Sequence, residues 1–190
     1  MGSEMCIRDR HEGESYPCFL PDTEHGLTEK GIEFVQEMER LGMIIDISHL
    51  NDAGIWDVFR YTKKPFVASH SNARSVCPAV RNLTDDMVRR LAERGGITGI
   101  NFCKEFLGKP DVSQNYLDQA VVHMKYLMNL GGEDFVALGS DFDGITRYHD
   151  LSDCSVMPKL VHTMKKAGLT PTQIEKICYK NTLRVYRELL

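Results

Sequence analysis

Four apolar runs constrain the fold of this chain more than any other feature: MIIDIS at 43–48, FVAS at 66–69, ITGINF at 97–102 and FVALGSD at 135–141. They are near-continuous rather than alternating, the pattern of strands buried on both faces of a parallel sheet. Between them lie segments with helical period. GLTEKGIEFVQEMERLG opens with Thr28 as N-cap, lets Leu27 staple onto Ile32, carries an apolar stripe of Phe34, Val35, Met38 and Leu41, and closes at Gly42. DAGIWDVFRYT reads as the next helix. LTDDMVRRLAERGG repeats the cap and staple with Thr84, Leu83 and Val88, and stops at Gly95 and Gly96. YLDQAVVHMKYLMNLGG gathers Leu117, Ala120, Val121, Met124 and Leu127 on one face, and TPTQIEKICYKNTLRVYREL starts with a Thr170–Gln173 capping box and Pro171 at the first helical position.

Parallel strands separated by helices leave two main architectures, a doubly wound open sheet or a (β/α) barrel. No GxGxxG turn follows a strand, which argues against a dinucleotide fold. The polar residues that stand out fall at the C-terminal ends of the runs, where barrels place their chemistry. The expected class is therefore α/β, a TIM-barrel-type (β/α) fold. Only four βα units are present, and complete barrels usually need about 250 residues. Residues 27–190 are accordingly expected to form the C-terminal half of a barrel. Residues 1–10, MGSEMCIRDR, read as a non-native leader, and 11–26 as an irregular lead-in. A half barrel leaves strand edges uncovered, so self-association into a homo-oligomer is a further expectation.

A net charge of −4 with no run of Lys or Arg gives no footprint for nucleic acid or an anionic membrane. No apolar stretch reaches the length of a membrane span. The six cysteines are scattered without a CxxC pair and read as free thiols in a reducing, cytoplasmic setting.

IIDISHL carries His49, FVASHSN passes through His70, and FVALGSDFDG carries Asp141 and Asp143. A lone histidine is more often a satisfied core residue. Two at successive strand ends, each beside a serine, favour metal ligation, since neutral imidazole is the commonest ligand for zinc-type ions. Asp143 before Gly144 fits a turn or cap, whereas Asp141 adjoins the strand end itself. Arg81 is either an exposed loop residue or a fork for a substrate carboxylate. Surface roles suffice for His11, His25, His123, His149 and His162. Cys103, with no base visible beside it, reads as a lining or packing residue and not a nucleophile.

The stretches GLTEKGIEFVQEMERLGMIIDISHL, KPFVASHSNARSVCPAVRNLTDDMVRRLAERGGITGINF and ALGSDFDG closely resemble the membrane dipeptidase (renal dipeptidase) family of metallopeptidases, from about Gly26 to the C-terminus. The resemblance implies a (β/α)-barrel hydrolase of the amidohydrolase type that cleaves dipeptides with two zinc ions. It implies that His49 and His70 ligate one zinc, that Arg81 binds the substrate carboxylate, and that Asp141 contacts substrate and handles the proton. The family also uses a His-x-Asp pair, a bridging glutamate and another substrate-binding histidine, none of which has a match here. HEGESYPCFLPDTEH offers His and Glu that match none of these positions. Another amidohydrolase-type activity, such as a deacetylase or lactonase, and an inactive fragment are the alternatives.

Overall fold

The computed structural model describes residues 25–111, 115–146 and 150–190. The leader at 1–10, nearly all of the lead-in, His11 and His149 lie outside the described residues. Three strands, β1 (Val67–Ala68), β2 (Ile97–Ile100) and β3 (Val136–Leu138), form a parallel sheet in the order β1-β2-β3. Val67 pairs with Ile97, and Thr98 with Val136.

The first apolar run does not become a strand. Only Asp46 pairs, in a parallel bridge with Val67. Two backbone bonds make it, Ile47 N–H to Val67 O at 2.9 Å and Val67 N–H to Ile45 O at 3.0 Å. The ladder ends there because the Asp46 carboxylate accepts the backbone N–H of Ser48 at 3.0 Å and of Ser69 at 2.9 Å. A side chain thereby takes donors that a longer ladder would use, and the chain turns at His49.

Five of the described α-helices start at a side-chain cap. Thr28 Oγ1 accepts the Gly31 N–H at 3.1 Å ahead of α1 (Glu29–Arg40), and Asn51 caps α2 (Asp52–Tyr61). Thr84 caps α3 (Asp85–Glu93). After the short α4 (Lys104–Leu107), Asn115 and Asp118 form a capping box on α5 (Tyr116–Gly131). Beyond α6 (Met157–Lys166), the final segment starts with the Thr170–Gln173 box as α7 (Pro171–Glu175). It continues through a π-helical turn (Lys176–Lys180) into α8 (Asn181–Leu189).

Two expectations about helix faces need correction. On α1 the buried side chains are Val35 and Met38, while Phe34 and Leu41 stay exposed at 42% and 57%. The stripe is narrower than its apolar composition because Gly31, one turn before Val35, is the third contact residue. His123 on α5 is not a surface residue but is 0% exposed. It follows Ala120 by three and precedes Leu127 by four, so it belongs to the core face.

The sheet is covered on both faces. Phe66, Ala68, Ile100 and Val136 join the main core with α3, α5 and α6, whereas Val67, Ile97 and Ala137 pack with Val185 of α8. The second face curls. A Cβ at Gly99 would lie 2.0 Å from the Ser69 carbonyl oxygen, and one at Gly139 only 1.8 Å from it. β1 and β3 are not neighbours, and in a flat sheet strands two apart stand about 9.5 Å from each other. Glycine at both positions lets the Ser69 backbone close over the strand ends.

Candidate active site

His49 and His70 meet at the C-terminal end of the sheet. Their Nε2 atoms are 2.8 Å apart and the ring centroids 4.8 Å, with the planes inclined at 61°. His70 lies two residues beyond β1, and His49 sits in the turn after the Asp46 bridge. Desolvation first, then the charge of Arg81 and the nearness of His70, push the His49 pKa down to about 4 against the pull of Asp46 and Asp141. The His70 imidazole is also lowered, again chiefly by desolvation. Both rings are therefore neutral at pH 7, which is the form that donates a lone pair.

Asp141 and Arg81 act electrostatically on both imidazoles, so the four residues flagged from sequence share one region. Asp141 has a φ of +61°, rare for a residue with a Cβ, and its carbonyl accepts the Gly144 N–H at 2.9 Å. The turn is thus closed by the Asp141 backbone rather than tied by Asp143, which is exposed. Asp141 Oδ2 accepts from the Asn101 amide at 3.1 Å. Arg81 lies over the Phe106 ring, its guanidinium carbon 5.6 Å from the centroid. Cys103 does have a partner: its thiol donates to Glu105 Oε2 at 2.9 Å. Burial, then that bond, push its pKa up to about 12, which makes it a poor nucleophile.

Sequence reasoning missed the groups that hold this region. Asn101, Asn72 and Asn82 are all buried. Asn72 and Asn101 bond each other twice, through Asn72 Nδ2 to Asn101 O and Asn101 N–H to Asn72 Oδ1, both at 2.9 Å. Asn82 takes the Asn72 N–H at 3.2 Å and donates to Cys77 O and Phe106 O. The asparagines thereby join the His70 strand end, Asp141 and the loop bearing Arg81. An Asn two residues after His70 and another next to Arg81 were the available signals.

The donors present suit a metal in kind, being two converging neutral imidazole nitrogens. Among the described residues, no group of three His, Cys, Asp or Glu side chains gathers to hold an ion. The site supplies part of a ligand set, and a catalytic zinc normally keeps three protein ligands.

A parallel sheet with crossover helices and polar residues at its C-terminal edge defines an α/β protein with a fold similar to the dipeptidases of family M19. The chain belongs to the membrane dipeptidase family (peptidase family M19), whose pattern matches residues 9–189. It is 42% identical over 172 residues to an uncharacterized protein from the pqqA 5′ region of Klebsiella pneumoniae, covering 89% of this chain and 63% of that one. An uncharacterized dipeptidase of Schizosaccharomyces pombe is 37% identical over 171 residues, covering 89% of this chain and 41% of that one. Among solved structures, a metallopeptidase from Rhodobacter sphaeroides, liganded with a phosphinate mimic of the dipeptide L-Ala-D-Ala, is similar at 37% identity and a TM-score of 0.83. That likeness covers 90% of this chain and 49% of the other. The chain thus spans roughly half the length of several relatives it matches. No described helix is long and apolar enough to cross a membrane.

Proposed function

We propose that this chain is the C-terminal half of a (β/α)-barrel dipeptidase that uses zinc. The observation that carries the reading is the 2.8 Å approach of His49 Nε2 and His70 Nε2 at the strand ends, with Arg81 and Asp141 acting on both rings. The curl of the sheet over Gly99 and Gly139 supports the barrel. His49 and His70 would hold one zinc ion, which when bound makes water nucleophilic at neutral pH and polarises the peptide carbonyl.

The chain's own residues do the rest. Asp141 takes a proton from the attacking water and returns it to the departing amine. The Asn101 amide donates to its Oδ2 and so holds the carboxylate in place. Arg81 grips the C-terminal carboxylate of the dipeptide with two parallel hydrogen bonds, and Phe106 beneath the guanidinium holds its plane. A carboxylate clamp one residue's length from the cut bond selects dipeptides over longer chains. A second zinc would need ligands from outside the described residues. Self-association through uncovered sheet edges and a cytoplasmic setting belong to the same proposal.

A panel of dipeptides that includes L-Ala-D-Ala, run beside N-acyl amino acids and lactones on a full-length protein containing this sequence, tests it. Dipeptide turnover that disappears with a chelator and returns with zinc is the expected result. Preferential hydrolysis of N-acyl amino acids or lactones would move the protein to the deacetylase or lactonase reading.

A further inference from the structure

Beneath His70 lies a set of hydrogen bonds that the hydrolytic reading does not use. The Asp46 carboxylate accepts four of them. Oδ1 takes the backbone N–H of Ser48 and of Ser69 and the Ser48 hydroxyl at 2.8 Å, and Oδ2 takes the Ser69 hydroxyl. Each serine has one hydroxyl proton, and both go to Asp46, whose oxygens lie nearer to each hydroxyl than the 3.3 Å that separates the two hydroxyls. The two serine oxygens are then acceptors only. Ser48 Oγ receives the His70 backbone N–H at 3.0 Å. Ser69 Oγ stands 2.7 Å from His70 Nδ1, so the proton in that contact must come from the ring.

We propose that Asp46, acting through Ser69, fixes His70 as its Nδ1–H tautomer and so keeps the Nε2 lone pair exposed toward His49 and an incoming metal ion. Asp46 and Ser69 are positioning residues. The inference rests on the metal-site reading for its purpose but not for its content, since the tautomer is set in the metal-free chain. It also sets a direction for the ring pair. With His70 Nε2 as acceptor, the 2.8 Å contact is donated by His49, which would have to give up its Nε2 proton, for example to its own Nδ1, before ligating a metal through that atom. The same serine that turns the ring is held by the curl of the sheet, because Gly99 and Gly139 leave room for the Ser69 carbonyl. Outer partners of this sort fix the tautomer and orientation of ligating histidines, and their loss typically weakens metal binding by about 10–100-fold.

The test reads the tautomer directly. Long-range nitrogen–proton NMR correlations are recorded on the metal-free, nitrogen-15-labelled chain at about pH 8, where imidazoles are neutral. His70 is expected as Nδ1–H. In Asp46→Asn the amide nitrogen in place of Oδ2 donates to Ser69, which turns its own proton toward the ring, so His70 should switch to Nε2–H. Ser69→Ala should leave a mixture of the two forms. Zinc affinity, by competition with a chromophoric chelator, should fall about tenfold or more in both variants. A wild-type His70 in the Nε2–H form would overturn the proposal without any variant, which covers the case in which a substitution prevents folding. An Asp46→Asn chain that keeps the Nδ1–H form, or zinc affinities within twofold of wild type in both variants, would overturn it too. Absence of dipeptide hydrolysis would instead defeat the activity proposal and leave the tautomer result standing.

Discussion

Arg74 and Asp52 form a bidentate pair, Nη1 to Oδ2 and Nη2 to Oδ1, both at 2.7 Å. The same guanidinium donates to Asn82 O through Nε and to Val80 O through Nη2, each at 2.7 Å. Those two carbonyls flank Arg81. The α2 N-terminus therefore holds, through one fork, the loop that carries the proposed substrate clamp.

Arg74→Lys should loosen that loop, because one ammonium cannot meet four acceptors spread around a planar fork. The expected loss is about 2 kcal/mol, in the range for hydrogen bonds to charged groups. Urea denaturation of Arg74→Lys, Asp52→Asn and the double variant checks it. The double-mutant cycle should show a coupling of about 1 kcal/mol or more. Additive effects would mean that the fork is not a unit.

His123 predicts a pH dependence of stability. Its Nδ1 accepts the Ala73 N–H at 3.2 Å and its Nε2–H donates to Leu107 O at 2.9 Å, so the ring is buried and neutral. Burial lowers its pKa from 6.5 to about 4. Between these values the unfolded chain binds the proton more readily than the folded one, so stability falls as pH drops through that window and is whole above it. The contribution is about 3 kcal/mol at most. Denaturation midpoints from pH 7.5 down to 4 should fall more steeply for the wild type than for His123→Gln, which keeps a donor toward Leu107. Equal slopes would show that this ring does not drive the dependence.

Gly139→Ala should be costly, since the atom its Cβ meets is the Ser69 carbonyl oxygen, and backbone cannot swing aside as a side chain can. Overpacking of this kind costs about 1–3 kcal/mol. Gly132→Ala is the useful contrast. Its Cβ would meet nothing within 4 Å, but φ is +84°, so any loss there is conformational. The Gly139 change should also disturb the His70 NMR signals, and the Gly132 change should leave them in place.

The isolated chain, supplied with zinc, should hydrolyse dipeptides at less than a tenth of the rate of a full-length relative. Two imidazoles are fewer protein ligands than a catalytic zinc normally keeps. Isothermal titration and a ninhydrin-type assay on the same preparation decide it. A rate within tenfold from a monomer of this length would show that His49, His70, Asp141 and Arg81 suffice.

Arg81→Lys in the full-length protein should lower kcat/KM by at least tenfold, mostly through KM, because a point charge replaces the carboxylate fork. Unchanged efficiency would remove Arg81 from the substrate site.

What could be read from the sequence was local or periodic. Thr28, Thr84 and Thr170 announce helix starts because their caps are built within three residues. His49 and His70 stand out because they interrupt apolar runs of β composition. The failures share a physical cause, which is a polar group satisfied far along the chain. Asp46 cut short a strand by bonding Ser69, 23 residues away. Arg74, Asn72 and Asn82 look like ordinary loop residues, and Asn101 like a break in an apolar run, until their partners arrive from other elements. His123 was legible in principle, since its three- and four-residue spacing to Ala120 and Leu127 places it on the core face, but its polarity suggested solvent.

The π-helical turn at Lys176–Lys180 governs the angular phase of the last helix. Asn181, just after it, donates to Glu133 O at 2.9 Å and to Val136 O at 2.8 Å, and Arg184 reaches Gly95 O at 2.8 Å. These carbonyls precede or begin β2 and β3, at the end of the sheet away from the histidines. An α-helix advances about 100° per residue, so deleting one residue from the wide turn would rotate Asn181 and Arg184 off their acceptors together. The widened turn therefore indexes the C-terminal helix to the sheet like a keyway on a shaft. A length change there would be felt across the strands even with every side chain intact.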